Sequence, residues 1–422
     1  MDVLRILRTG AWLTRERMRL VALAMLAAYL LGFGYLVVTA HGSIDIMGRP
    51  LGTDFSNIYA AGTYVLEGRP DAPFDPLLQH ERAQAIFGQD TPFYGWHYPP
   101  FFLFIAAALA LMPYGLALAG WQAATFLLYL ASMRAILAAA WDGGSNGEGT
   151  PTATDHLWLL LAIAFPAVFV NLGHGHNGFL TAALMGAALV LLDRRPVAAG
   201  ILFGLLAYKP QFGLMVPFVL AATGRWRTFA SAAATVALLA LSTTFAFGPH
   251  VWEAFLASTR FTRVVVLEAG GIGWHKIQSV FAWVRMWGGP VVTAYALQAA
   301  VTVVLGAALV WLWRGGASFA LKAAALCIVA ILATPYSLDY DMMLLAPAIG
   351  FCAADGCARG FLPWEKSGLA ALWLVPIVAR SVALATLIPL GVAVMLAVVA
   401  LILRRAAADS NASARSLSSI AP

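Results

Sequence analysis

The sequence predicts an all-α polytopic membrane protein. Of its 422 residues, 61% are hydrophobic and 11% charged, with a mean hydropathy of +0.80, whereas a soluble domain carries about 25% charge. Apolar runs of about 20 residues, each long enough to cross a bilayer as a helix, recur along most of the chain. They lack the period-two alternation of a membrane β-barrel, which excludes that class. Lys and Arg sit mostly in short clusters between the runs, where they set topology. The net charge of +6 is therefore no sign of a nucleic-acid partner.

Taken in order, Arg5, Arg8, Arg15, Arg17 and Arg19 precede the first apolar run, roughly Leu20 to Ala40. The positive-inside rule places this end in the cytoplasm. The run is longer than a signal-peptide core and has no small-x-small cleavage site, so it reads as a span. His41 to His97 then falls outside. Pro70, Pro73, Pro76 and Pro92 break it into two helix-like pieces, Asp54 to Glu67 and Pro76 to Phe87, read as short helices on the outer membrane face.

Residues 98–140 hold two apolar runs split at Met112-Pro113-Tyr114-Gly115. Two full crossings would conflict with the later topology markers. Either the first run is a short helix that enters from outside and turns back, leaving Gly120 to Ala140 as the crossing with Arg134 in its last turn, or one later marker is misread. Trp141 to Thr154 reads as a loop without chemistry.

Beyond it the markers alternate. Asp193-Arg194-Arg195, Arg225-Trp226-Arg227, Trp313-Arg314, Arg359 to Lys366 and Arg404-Arg405 are basic and belong inside. Asn171 to Asn177, Lys209-Pro210-Gln211, Gly248 to Lys276, Thr334 to Asp341 and a turn near Arg380 belong outside. Residues 1–408 form one transmembrane domain, with 41–98 as its first outer loop, and the Ser- and Ala-rich 409–422 is a disordered tail. Cys327, Cys352 and Cys357 match no metal or disulfide spacing.

Polar groups cluster on the outer side, and an ionisable group near membrane depth is a functional candidate. Asp54, in the first outer loop, is a candidate general base or a helix N-cap, and the two roles are compatible. Lys209, next to a helix-ending proline, is either a point charge for a phosphate oxygen or a snorkelling lysine. His174-Gly175-His176-Asn177 reads as a tight turn with exposed imidazoles that hydrogen-bond a sugar or phosphate, or as a plain interfacial turn; no metal-site spacing accompanies it.

Arg260, Arg263, His275 and Lys276 flank the glycine-rich stretch Ala269 to Trp274, a candidate anion cradle or a solvated loop. Asp339 and Asp341 suit helix N-caps, or one of them suits a sugar contact. His97, between Trp96 and Tyr98, is a further candidate beside ordinary belt aromatics. Gln278 follows Lys276 on the same outer stretch.

The segments GTDFSNIYAAG, HYPPFFLFIAAALALMP, NLGHGHNGFL with the later AYKP, GWHKIQSVF and TPYSLDYDMMLL, in that order, resemble the motifs of glycosyltransferase family 87. The likeness runs from about Gly52 to about Pro347, with His176 where the family usually has Gln. It implies a GT-C-type bundle of about eleven to thirteen transmembrane helices. It further implies an inverting transfer of a hexose, commonly mannose, from a polyprenyl-phosphate sugar to a lipid or glycan acceptor at the periplasmic face of a bacterial inner membrane. Asp54 would be the base, and Lys209, Arg260, Arg263, His275 and Lys276 would steady the leaving phosphate. Such a donor reduces the need for a metal or other cofactor. The alternative reading is a transporter or flippase of lipid-linked sugars, which calls for charges at helix centres and internal repeats.

Overall fold

The computed structural model describes residues 3–141 and 156–418. Most of the loop read at Trp141 to Thr154 therefore lies outside them. The described residues are helical throughout, with three isolated β-bridges and no strand.

After the short α1 (Val3–Thr9), α2 (Arg15–Val38) is the first long apolar helix, capped by Thr14. The segment read as the first outer loop folds into α3 (Thr53–Leu66) and α4 (Pro76–Phe87). The Asp75 side chain caps α4 by accepting from the backbone N–H groups of Leu77 and Leu78, with Pro76 in the first turn.

The first half of the 98–140 region is a short helix. A 3-10 turn at Pro100–Phe102 leads into α5 (Leu103–Ala110). Together they span eleven residues, about 16 Å at 1.5 Å per residue, half of a hydrocarbon core about 30 Å thick. The long helix is α6 (Tyr114–Trp141). It begins six residues before Gly120, so Arg134 lies within it rather than in its last turn.

The next crossing is broken. α7 (His156–Ile163) and α8 (Pro166–His174) meet at 42°, where Pro166 cannot continue the ladder. α9 (Gly178–Leu191) is apolar and largely buried all round, as a helix at the centre of a bundle should be. α10 (Pro196–Leu205) follows, then a 3-10 turn, α11 (Pro210–Gly213), α12 (Val216–Ala222) and α13 (Trp226–Phe247).

Two glycines one helical turn apart let α10 and α13 touch. A Cβ on Gly200 would lie 2.4 Å from the Thr228 carbonyl oxygen, and one on Gly204 2.6 Å from Thr235 Cβ. Lipid tails are as apolar as leucine, so close backbone packing of this kind holds membrane helices together.

The segment read as outer from its sequence then forms α14 (His250–Phe261), a π-helical turn Thr262–Glu268, and α15 (Val280–Met286). α16 (Val291–Arg314), α17 (Phe319–Leu332), α18 (Leu345–Arg359), α19 (Glu365–Thr386) and α20 (Leu390–Ser418) complete the bundle. α20 runs on into the stretch read as a disordered tail, and residues 419–422 lie outside the described residues.

Seven helices are long and apolar enough to span a membrane, or eight with the bent α7–α8 pair, beside five shorter apolar helices of 10–17 residues. Only by including the shorter ones does the count reach the eleven to thirteen expected.

The basic markers collect at one end of this bundle. Arg225 pairs with Asp193 at 2.8 Å and lies over the Trp313 ring. The α1 end docks against the start of α19 through Trp12 and Ser367. Buried Asp355 on α18 joins Arg359, Arg405 of α20 and Ser318. The turns read as outer meet elsewhere, around the N-terminus of α3.

Candidate active site

Asp54 lies in the first turn of α3, but it is not the cap. Gly52 holds that position in the left-handed region at φ +66°, and no side chain caps the helix. Among the described residues nothing donates a hydrogen bond to the Asp54 carboxylate. Its closest charged neighbour is His174, with Nδ1 3.7 Å from Oδ2.

Two glycines make that approach possible. Gly175, at φ +62°, ends α8, and its Cα faces Gly52. A Cβ on Gly175 would stand 3.1 Å from Gly52 Cα and 2.6 Å from Phe55 Cβ. Only bare backbone on both sides lets the start of α3 meet the end of α8.

Asp54 keeps 23% of its side chain open. Burial is nonetheless the main influence on its ionisation and pushes its pKa up. A carboxylate both partly open and strongly desolvated sits in a recess, not on the outer surface. His174 pulls the pKa back, Asp339 adds to the rise, and Lys209 and Lys276 lower it. These four come from segments far apart in the chain.

The two imidazoles expected to be exposed divide. His174 is 30% open and its Nδ1 meets the Thr53 hydroxyl at 2.9 Å. His176 is buried, because its ring stacks on Tyr340 at 3.6 Å and its Nε2 meets the Tyr98 hydroxyl at 3.1 Å. Burial, with Lys209 and His174 nearby, holds the His176 pKa well below its usual value, so it is neutral. Asn177 is fully buried and its amide comes close to the Tyr98 hydroxyl without hydrogen-bond geometry.

Lys209 does not snorkel. It is buried, and Nζ donates to Asp341 Oδ1 at 2.5 Å. The second Asp341 oxygen accepts from the backbone N–H of Leu338, closing the first turn of the 3-10 helix Asp339–Leu344. Asp341 thus does the capping that was one reading for it, and it also pins Lys209. The lysine ammonium lies 5.1 Å from the Tyr340 ring centroid. Burial lowers the Lys209 pKa and the ion pair with Asp341 holds it up.

A single bridge brings the 270s to the 330s. Ile277 pairs with Leu338, the Gln278 N–H donates to Ser337 O, and a small apolar cluster including Leu267, Phe281 and Ala294 lies beneath. This registers Lys276 and His275 against Asp339. Arg380 of α19 completes the group, with its guanidinium 3.6 Å from Asp339 Oδ2. Burial first, then Arg380, lowers the pKa of both His275 and Lys276.

Other candidates stay apart. Arg260 is exposed on α14, and Arg263 is exposed at 3.7 Å from Glu268. His97 is spent on Thr262, its Nδ1 2.8 Å from that hydroxyl, and burial lowers its pKa to about 4. Gln278 is buried against Gly391. The glycine-rich stretch folds on itself, with Trp274 Nε1 donating to Leu267 O and its ring under Arg285.

Arg380 was not singled out from the sequence. The turn expected beside it lies further on, since α19 continues to Thr386. The available signal was a cation at the outer end of an apolar run, against the positive-inside bias. Among the described residues no three His, Cys, Asp or Glu side chains are grouped so as to hold a metal ion.

The family model of glycosyltransferase family 87 matches residues 96–335, which is 240 of the 422 residues. The matched segment carries His174, His176, Lys209 and Lys276; Asp54, Asp339 and Arg380 lie outside it. No curated protein and no solved structure matches the chain. A helical bundle with at least seven membrane-length helices and a family match over more than half its length is a membrane glycosyltransferase, and the chain belongs to glycosyltransferase family 87.

Proposed function

We propose that the protein moves a hexose, mannose, from a polyprenyl-phosphate sugar to a lipid or glycan acceptor at the periplasmic face of a bacterial inner membrane. Asp54 is the general base. The observation that carries this reading is the Asp54 carboxylate itself: desolvated, without a hydrogen bond among the described residues, and faced by cations from distant segments. Among the described residues its one ion-pair contact is the 3.7 Å approach of His174, and a desolvated carboxylate that caps no helix marks a functional-site candidate.

The chemistry is one displacement. Asp54 takes the proton of the acceptor hydroxyl as that oxygen attacks the anomeric carbon. The bond from that carbon to the phosphate oxygen breaks, its electron pair leaves with the polyprenyl phosphate, and the anomeric centre inverts. Lys276, with Arg380 and His275 beside it, supports the charge that grows on the phosphate. Lys209, already paired to Asp341, lowers the Asp54 pKa at a distance.

A mostly apolar cleft of about 850 Å³ between α12 and α16, lined by Leu214, Met215, Phe218, Val303 and Trp311 and reaching Arg314 at the basic end of α16, supports a donor with a prenyl tail. Its first residue follows Lys209 by five positions. Mannose is the sugar that the family resemblance implies.

Membranes containing the Asp54→Asn protein, supplied with labelled polyprenyl-phosphate mannose, test the assignment. Transfer should fall by about 10²- to 10⁴-fold, the range for loss of a general base. Unchanged transfer at equal protein level removes Asp54 from the mechanism.

A further inference from the structure

We propose that His174 resets Asp54 between turnovers, taking the proton that Asp54 has abstracted and passing one on to solvent. The inference rests on Asp54 being the base. Its geometry is independent of that reading: His174 ends α8 where the Gly52–Gly175 backbone contact presses the two helix ends together, and its Nδ1 faces both Thr53 Oγ1 at 2.9 Å and Asp54 Oδ2 at 3.7 Å.

The proton balance closes. With the Thr53 hydroxyl donating to Nδ1, the neutral ring carries its hydrogen on Nε2. A small rotation of the Asp54 carboxyl brings the acid within reach of Nδ1. The Thr53 hydroxyl rotates off Nδ1, the ring gains the Asp54 proton there and releases the Nε2 proton to water, which leaves Asp54 a carboxylate and His174 a neutral ring with its hydrogen on Nδ1. Proton exchange with water, gain at Nε2 and loss at Nδ1, restores the starting tautomer. Its 30% exposure supplies the outlet that the more enclosed groups lack.

The surroundings favour this ring over its neighbour. His174 is faced by Asp54 of α3, by His176 on its own turn, and edge-on by the Tyr340 ring of the 3-10 helix, with ring centroids 5.6 Å apart. Lys209 is further along the same wall and is occupied by Asp341. His176 is enclosed between Tyr98 and Tyr340 and has no path for a proton.

The test is His174→Asn in the full-length protein in native membranes. An asparagine oxygen occupies the Nδ1 position and keeps the Thr53 hydrogen bond, but it carries no proton at neutral pH. Turnover in dilute buffer should drop about 10²-fold with donor KM unchanged. Added imidazole should restore it, while wild type ignores imidazole.

Wild-type turnover by His174→Asn in dilute buffer, or a loss that imidazole leaves untouched in both His174→Asn and His174→Gln, overturns the relay. The pair of variants covers poor folding of either one. Asp54→Asn, assayed alongside, should stay inactive with imidazole. Activity of Asp54→Asn without imidazole would instead end the base assignment itself.

Discussion

Asp54 stands where its own ionisation is costly, and the sign of that cost is testable. Its pKa is raised by burial, so the folded chain binds the proton more tightly than the unfolded chain does. The fold's advantage is therefore present at low pH and is lost as pH rises through the unfolded value and then the folded one. At pH 7 the ionised carboxylate works against folding. Asp54→Asn should raise the thermal midpoint in detergent while it abolishes transfer; a lowered midpoint would mean the carboxylate has a structural partner. The same shift places the acid limb of the kcat/KM profile above the ordinary carboxylate value of about 4. A limb at the ordinary value would show that Asp54 is not the titrating base.

Lys209 and Asp341 make the opposite case, since each exists for the other. Asp341→Leu leaves an ammonium buried without its partner and should cost about 3–5 kcal/mol. Lys209→Met with Asp341→Leu together should cost less than the single change, because no unpaired charge remains. Thermal unfolding of both variants in one detergent compares them; additive losses would show that the two residues do not share one interaction.

At the scale of elements, the site is assembled by helix ends and not by any one loop. Gly175→Ala forces a side chain into the left-handed region and against Phe55, so α8 and α3 must part. Asp54 then shifts relative to its cations, and a displacement of about 1 Å can cost 10²-fold in rate. We expect transfer to fall at least tenfold with helix content unchanged by circular dichroism. Full activity would show that the glycine contact does not set the position of Asp54.

These elements were unequally legible. Pro76 and Gly68 marked α3 and α4 within a residue or two, because turn residues act locally. The 132 positions between Lys209 and Asp341, and the pairing of Ile277 with Leu338, leave no local trace. Arg260 and Arg263 looked equivalent to His275 and Lys276 because they share one outer segment. The end of α14 leaves Arg260 exposed and the π-helical turn leaves Arg263 exposed, and that is a property of packing rather than of composition. Arg380 hid in the middle of α19, whose neighbours no single sequence reveals.

For the whole molecule, the question is which way the recess faces. Fourteen positions separate Lys366, near the basic end of α19, from Arg380 at the recess, a rise of about 21 Å and most of a hydrocarbon core. The basic markers and the Asp54 cluster therefore sit at opposite ends of one crossing. Under the proposed function, the positive-inside rule turns Asp54 outward, away from the nucleotide sugars of the cytoplasm, which is why the proposal names a lipid-linked donor. Single cysteines test this directly, once Cys327, Cys352 and Cys357 are replaced. Arg263→Cys is exposed on the outer segment and Arg227→Cys at a basic marker. A membrane-impermeant thiol reagent should label Arg263→Cys in intact spheroplasts and Arg227→Cys only after lysis. Labelling of Arg227→Cys from outside would turn the recess toward the cytoplasm, where a soluble activated sugar is at hand and the lipid-phosphate leaving group loses its rationale.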